Sequence, residues 1–224
     1  SMLRAHALPE DWPGTPYSDF LEERRKGLAR VTREAFERLR SGGGDEPEPI
    51  WPPSSGAIEL LLSDGETHKV EMKSTLRVPT DGRETPPKVL EKIVARTVAG
   101  FMNHHGGILV IGADDDGAPL GLDRDIQSLS RKDLDGFQQK LVEVLARMLG
   151  SDVAAAVDIH LAKVGVDGRD VALVRCPSYL RPVYLNDGGA PEFHVRAGNT
   201  TRLLDVQEAT TYVIQHWRGS AVRA

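Results

Sequence analysis

The chain has 224 residues, a formal charge of −5 and a hydrophobic fraction of 40%, which suggests one domain with an appendage and an ordinary buried core. No apolar run approaches the roughly 20 residues that span a bilayer and no signal-peptide pattern opens the chain, so no membrane association is expected. The acidic balance weakens steering toward phosphates and argues against a uniformly basic nucleic-acid binder, while leaving room for a local basic groove. Ser1-Met2 reads as a tag scar before a start methionine. The single cysteine, Cys176, excludes an internal disulfide and a cysteine-rich zinc site, and its apolar surroundings point to a buried structural thiol. A reducing, cytoplasmic setting is expected.

Residues 1–16 carry prolines without periodicity and read as extended. Phe20, Leu21, Leu28, Val31, Ala35, Phe36 and Leu39 recur at helical spacing, with Ser18 and Asp19 as caps, so 17–40 is an amphipathic helix. The Gly/Pro-rich stretch 41–56 is a linker, dividing a helical arm (1–56) from a core over 57–218 and a tail over 219–224. Within the core, Ile58–Leu62 is expected as a short strand, turned at Asp64-Gly65. Lys69–Lys73 alternates as a half-exposed strand. After a polar loop, Lys88–Asn103 is a helix, stopped at His104-His105-Gly106-Gly107, and Ile108–Ile111 is an apolar, central strand. A helix covers Ser130–Leu149. Ala156–Val164 and Val171–Cys176 flank the hairpin signal Asp167-Gly168, and Val183–Leu185 and Phe193–Val195 flank a second at Asn186–Gly189. A helix over Val206–Trp217 closes the chain. The order implies a mixed α/β (α+β) core, with a mixed β-sheet and flanking helices.

Chemistry-bearing residues cluster around the strand ends. Glu71 and Lys73 share one strand face, an arrangement that suits either a metal-dependent nuclease or a cross-strand ion pair. Glu66 lies an odd number of residues from Glu71, so the two meet only if the chain bends near Thr67-His68. Asp114-Asp115-Asp116-Gly117 follows the apolar strand. One aspartate suffices for the turn, and three in a row repel one another, which suits either a nearby cation or a solvated acidic turn. His104 and His105 do not have zinc-site spacing; helix C-capping or phosphate contact is the expectation. No phosphate-cradling nucleotide loop is present. Arg181-Pro-Val-Tyr184 and the stretch His194–Arg202 bring Arg196, Thr200, Thr201 and Arg202 to strand ends, as phosphate contacts or as a glycine turn with surface arginines.

The segments Gly65–Ser74, Ala99–Gly112, Asp114–Gly121, Arg181–Tyr184 and Phe193–Thr201, in that order, resemble the Schlafen AlbA-like domain, a family associated with nucleic-acid binding. The resemblance covers about residues 57–218 and implies binding of RNA rather than DNA. It also implies possible endoribonuclease activity on structured RNA such as transfer RNA. By resemblance the catalytic and metal-binding carboxylates are Glu66, Glu71 and Asp115, with Asp114 the alternative for the last. Lys73 contacts phosphate or water, and Mg or Mn is the implied cofactor. Lys73, Arg181, Arg196, Thr200, Thr201 and Arg202 are the implied nucleic-acid contacts. Met72 departs from the aromatic residue usual before the lysine, and His104-His105 stand where smaller polar residues are common. Active animal relatives pair two lobes in one chain, so a homodimer is expected to rebuild such a groove here. The rival expectations are a non-catalytic DNA- or RNA-binding regulatory module and a protein-interaction domain.

Overall fold

The computed structural model describes residues 51–80, 82 and 84–217; the expected arm helix, its linker up to residue 50 and the tail over 219–224 lie outside the described residues. The first described element corrects the expected strand at 58–62. It is a helix, α1 (Ser55–Asp64), which begins inside the stretch read as linker. Extended Ser54 accepts a bond from the Ala57 amide at its side chain. Ile58 and Leu62, one helical turn apart, are buried, whereas Leu60 remains 62% exposed. A serine cap ahead of an i, i+4 apolar pair outweighs a short apolar run that fits either period.

Strand β1 (Val70–Lys73) runs parallel to β2 (Gly107–Ile111), and helix α2 (Pro87–Met102) makes the crossover. The Pro86-Pro87 pair sets the start of α2, because proline at the first helical position needs no amide partner. Beyond β2 come α3 (Asp123–Gln127), α4 (Leu134–Leu149), capped by Asp133 on the Gly136 amide, and the short α5 (Ser151–Ala156). The α3 and α5 turns were not legible as helices, and α5 moves the start of β3 (Asp158–Val164) past the expected Ala156. β3 and β4 (Arg169–Cys176) form the first expected hairpin. The sheet order is β1-β2-β4-β3, parallel between β1 and β2 and antiparallel elsewhere.

The second expected hairpin is displaced. Leu185 and Glu192 make only an isolated bridge. β5 (Phe193–Ala197) instead pairs with β6 (Thr200–Leu204) through the two-residue loop Gly198-Asn199, where Gly198 takes φ +63°. Asn186–Gly189 carries the stronger turn composition, but Pro182 and Pro191 deny its flanks the amides a ladder needs. Helix α6 (Val206–Trp217) follows as expected, opened by a reciprocal cap between Asp205 and Glu208.

Alternation assigns the sheet's faces. Leu109, Ile111, Ala172, Val174 and Cys176 join the main core with α2, α4 and α5. Met72, Val110, Val171 and Leu173 lie on the other face and are also buried, as are Ile58 and Leu62 of α1. Burial pushes the Cys176 thiol well above its ordinary pKa, as befits an inert structural cysteine. Gly107 is set by close approach: a Cβ there would stand 2.4 Å from the Phe101 ring and 2.8 Å from the Lys69 carbonyl. Among the described residues no helix is long and apolar enough to cross a membrane.

Candidate nucleic-acid interface at the edge of the sheet

β1 is an edge strand of only four residues, and its outward backbone groups must find partners beyond β2. The polar residues around it supply them. Thr67 turns the chain: its hydroxyl accepts from the amides of Lys69 and Val70, each at 3.1 Å, and its own amide donates to the Val70 carbonyl at 2.9 Å. This turn is the bend that Glu66 and Glu71 require. It folds Glu66 back along the strand, where Oε1 accepts from the Met72 amide at 2.9 Å.

Glu71 and Lys73 lie on the helix-covered face of β1, and Lys73 Nζ stands 2.7 Å from Glu71 Oε1 and 3.6 Å from Glu66 Oε1. The same ammonium donates to the Met72 carbonyl at 2.6 Å. From the β5–β6 hairpin, Arg196 reaches across to Glu71 Oε2 at 2.5 Å and donates to the carbonyls of Thr67 at 2.7 Å and Val70 at 3.3 Å. Its guanidinium lies 5.0 Å from the Phe101 ring centroid. Charges therefore alternate Glu66, Lys73, Glu71, Arg196. The Arg196 side chain is 1% exposed and the Lys73 side chain 23%, so the chain runs from a buried end to an open one.

That gradient separates the residues grouped by sequence. Arg196 is committed inside the protein, its guanidinium held by Glu71 and two backbone carbonyls. Thr201, opposite Arg196 in the ladder, has a buried hydroxyl with no partner among the described residues and packs against Gly100, so it too is turned inward. Thr200 and Arg202 are exposed, and Arg202 pairs with Glu208 at 3.3 Å. Arg181 is exposed and bonds Asp152, whose carboxyl is held below the usual range first by Arg181 and then by Tyr179.

The aspartate cluster does not join the glutamates into a metal-holding set. Asp114 is the turn former: its Oδ1 accepts from the amides of Asp116 at 3.1 Å and Ala118 at 2.8 Å. Asp115 and Asp116 are exposed. Among the described residues no group of three histidine, cysteine or acidic side chains is placed to hold a metal ion. Both Glu71 oxygens already face cations, so a divalent ion meets positive charge where it would need open carboxylate. The donor arrangement as it stands does not fit the implied Mg or Mn.

Three positioning residues gave little signal in the sequence. Buried Asp125 of α3 accepts from the Thr75 hydroxyl at 2.8 Å and from the amides of Leu76, Arg77 and Val78, each within 2.9 Å, and so fastens the loop after β1. Asn103 pins the entry to β5, exchanging bonds with both backbone groups of Val183 and donating to the His194 carbonyl. Tyr212 of α6 donates to the Asn103 carbonyl at 2.9 Å. Asp-Arg-Asp-Ile and Phe-Met-Asn offer no pattern that marks a buried clamp; only the polar residue at an apolar helix end could have hinted at Asn103.

An α+β domain with a four-stranded mixed sheet, whose short edge strand carries an alternating acid–base chain, is the class these features define. A family model described as Schlafen, AlbA_2 matches residues 66–205, and the chain belongs to that family, which makes this a nucleic-acid-binding-type domain. Among solved structures, the DIP2311 protein from Corynebacterium diphtheriae is similar at 20% identity and a TM-score of 0.47, over 71% of this chain and 30% of that one. No curated protein matches.

Proposed function

We propose that the domain binds RNA along the open end of this sheet edge, with Lys73 and the outward-facing Thr200 and Arg202 meeting the sugar–phosphate backbone. The observation that carries the reading is the partly exposed Lys73 ammonium, next to the open end of a charge chain inside the family-matched segment. Arg196 ties the hairpin that bears Thr200 and Arg202 to the β1 edge. The test is fluorescence anisotropy with labelled RNA and its DNA counterpart across a salt titration. Affinity should fall with salt, and Lys73→Ala and Arg202→Ala should each reduce the slope by about one ion. Absence of binding at about 50 mM salt rejects the reading in favour of a protein-interaction domain. Tighter binding of DNA rejects the preference for RNA.

Metal-dependent cleavage of structured RNA such as transfer RNA is the second reading. One observation favours it: the Thr67 turn brings Glu66 and Glu71 to a single ammonium. Cleavage would require Lys73 to leave the pair and a further ligand to arrive. Incubation of transfer RNA with Mg or Mn, with chelator, and with Glu71→Gln decides it. Cleavage that depends on both the ion and Glu71 supports an endoribonuclease; binding without cleavage leaves the non-catalytic module.

A further inference from the structure

Where α2 ends and β2 begins, five rings gather. The centroids of His104 and His105 are 4.1 Å apart, and His216 of α6 lies 6.3 and 5.9 Å from them. Tyr212 stacks on His216 at 5.1 Å, and Trp217 meets His216 edge-on at 4.5 Å. Four of the five are partly buried and are docked by the fold. Tyr212 accepts from His104 Nδ1 at 3.0 Å while donating to the Asn103 carbonyl, which fixes the His104 tautomer with its proton on Nδ1. Trp217 Nε1 donates to the Tyr179 carbonyl at 3.0 Å. Docking of α6 accounts for those four rings. It does not account for His105, which is exposed and lies against His104.

The array also stands beside the proposed backbone-binding edge. Ile108 donates to the Lys69 carbonyl at 2.8 Å, which places the start of β2 alongside His68-Lys69, and His68 is close enough to influence His104. Burial, followed by the neighbouring histidines, holds His104 below the ordinary histidine pKa; burial, followed by His105, does the same for His216. Both rings therefore favour the neutral form more than a free histidine does, which lowers the cost of covering them with a flat partner. A ring held by packing and hydrogen bonds loses little freedom on binding.

We infer that this array is a stacking platform for an unpaired nucleobase, with His105 as its solvent-facing ring. The inference rests on the nucleic-acid reading above and adds the part of the ligand that is recognised: a π-face rather than a phosphate. Aromatic and imidazole faces accept any base, so the platform selects single-stranded or looped segments over continuous duplex.

The test uses the full chain and anisotropy with short labelled strands: a base-bearing RNA, its DNA counterpart, and an abasic strand of equal length and charge. Wild type should bind both base-bearing strands more tightly than the abasic one. His105→Ala should weaken the base-bearing strands about tenfold and leave the abasic strand unchanged, and His105→Tyr should restore the difference. Because His105 is exposed, the substitution leaves the core intact. Equal affinity of wild type for all three strands, or an equal loss for all three in His105→Ala, overturns the platform while backbone binding stands. Failure of every strand to bind overturns the nucleic-acid reading itself, and the platform with it.

Discussion

Arg196 is the residue on which structural and ligand-binding readings of the site diverge most sharply. Its side chain is 1% exposed, it bonds Glu71 and two backbone carbonyls, and its Nε finds no partner among the described residues. Replacing it with methionine keeps much of the volume over Phe101 but strands the Thr67 carbonyl and leaves Glu71 with Lys73 alone. Breaking a buried pair by removing one partner costs about 3–5 kcal/mol, a large share of the roughly 5–15 kcal/mol that holds a domain folded. Urea unfolding monitored by circular dichroism measures the loss. A cycle with Glu71→Gln should return a coupling of about 1–3 kcal/mol, because the two side chains touch. RNA affinity per folded molecule should change little. A stability loss under about 1 kcal/mol, well below the buried-pair range, accompanied by a large fall in affinity, would refute the structural assignment and return Arg196 to the ligand.

Asp125→Ala removes the acceptor of four bonds and should cost about 2–4 kcal/mol by urea unfolding, because it leaves the buried Leu76 amide and Thr75 hydroxyl without an acceptor, while Arg77 and Val78 keep the Thr75 oxygen; Asp125→Asn should recover only part. Gly107→Ala forces a Cβ into the Phe101 ring and the Lys69 carbonyl and should lower stability by about 2 kcal/mol or more, read as a lower melting temperature. His104, His194 and His216 all have folded-state pKa values below the ordinary 6.5, chiefly through burial. The unfolded chain therefore takes up protons first, so stability is full above that range and falls as pH drops from about 7.5 to about 5.5. A urea midpoint that is flat over this window contradicts the burial of these rings. Lys73→Met should leave Glu66 and Glu71 as a like-charge pair, so Mn should raise its melting temperature more than that of wild type. An equal shift in both proteins argues against any latent carboxylate site at this pair.

What could be read from the sequence was set by local pattern. Long periodic segments such as 88–103 and 206–217 carry their own start signals and apolar faces and fold within a residue of expectation, whereas the helix expected over 130–149 begins at Leu134, after the Asp133 cap. The five-residue run at 58–62 fits a strand or a buried helical turn equally well, and only the Ser54 cap and the burial of Ile58 and Leu62 separate the two. Glu66, Glu71 and Lys73 could be grouped because they lie close in sequence and need only one bend. Arg196, 125 residues from Glu71, could be named as polar and basic, but its direction depends on the register of a hairpin whose true turn is Gly198-Asn199. A register change of one residue exchanges the two faces of a strand, which is why Arg196 and Arg202 were grouped and yet point opposite ways. The Asp114–Asp116 cluster looked excessive for a turn. Asp114 alone makes the turn, and exposure lets water screen the other two.

A four-residue edge strand cannot by itself hold Glu66, Glu71 and Lys73 in a fixed relation, since one parallel ladder with β2 is all the pairing it has. Two buried side chains, both distant in sequence, supply what is missing. Arg196 clamps the entry to β1 through the carbonyls of Thr67, in the preceding turn, and of Val70, its first residue, and Asp125 clamps the segment after it through the amides of Leu76, Arg77 and Val78. A cation on carbonyls and an anion on amides each satisfy backbone groups that strand pairing would otherwise use. Loosening the Asp125 clamp should therefore free the chain that follows Lys73 while Arg196 still holds the Glu71 end. Local hydrogen exchange at residues 66–78 should rise in Asp125→Asn even under conditions where the remaining sheet stays protected.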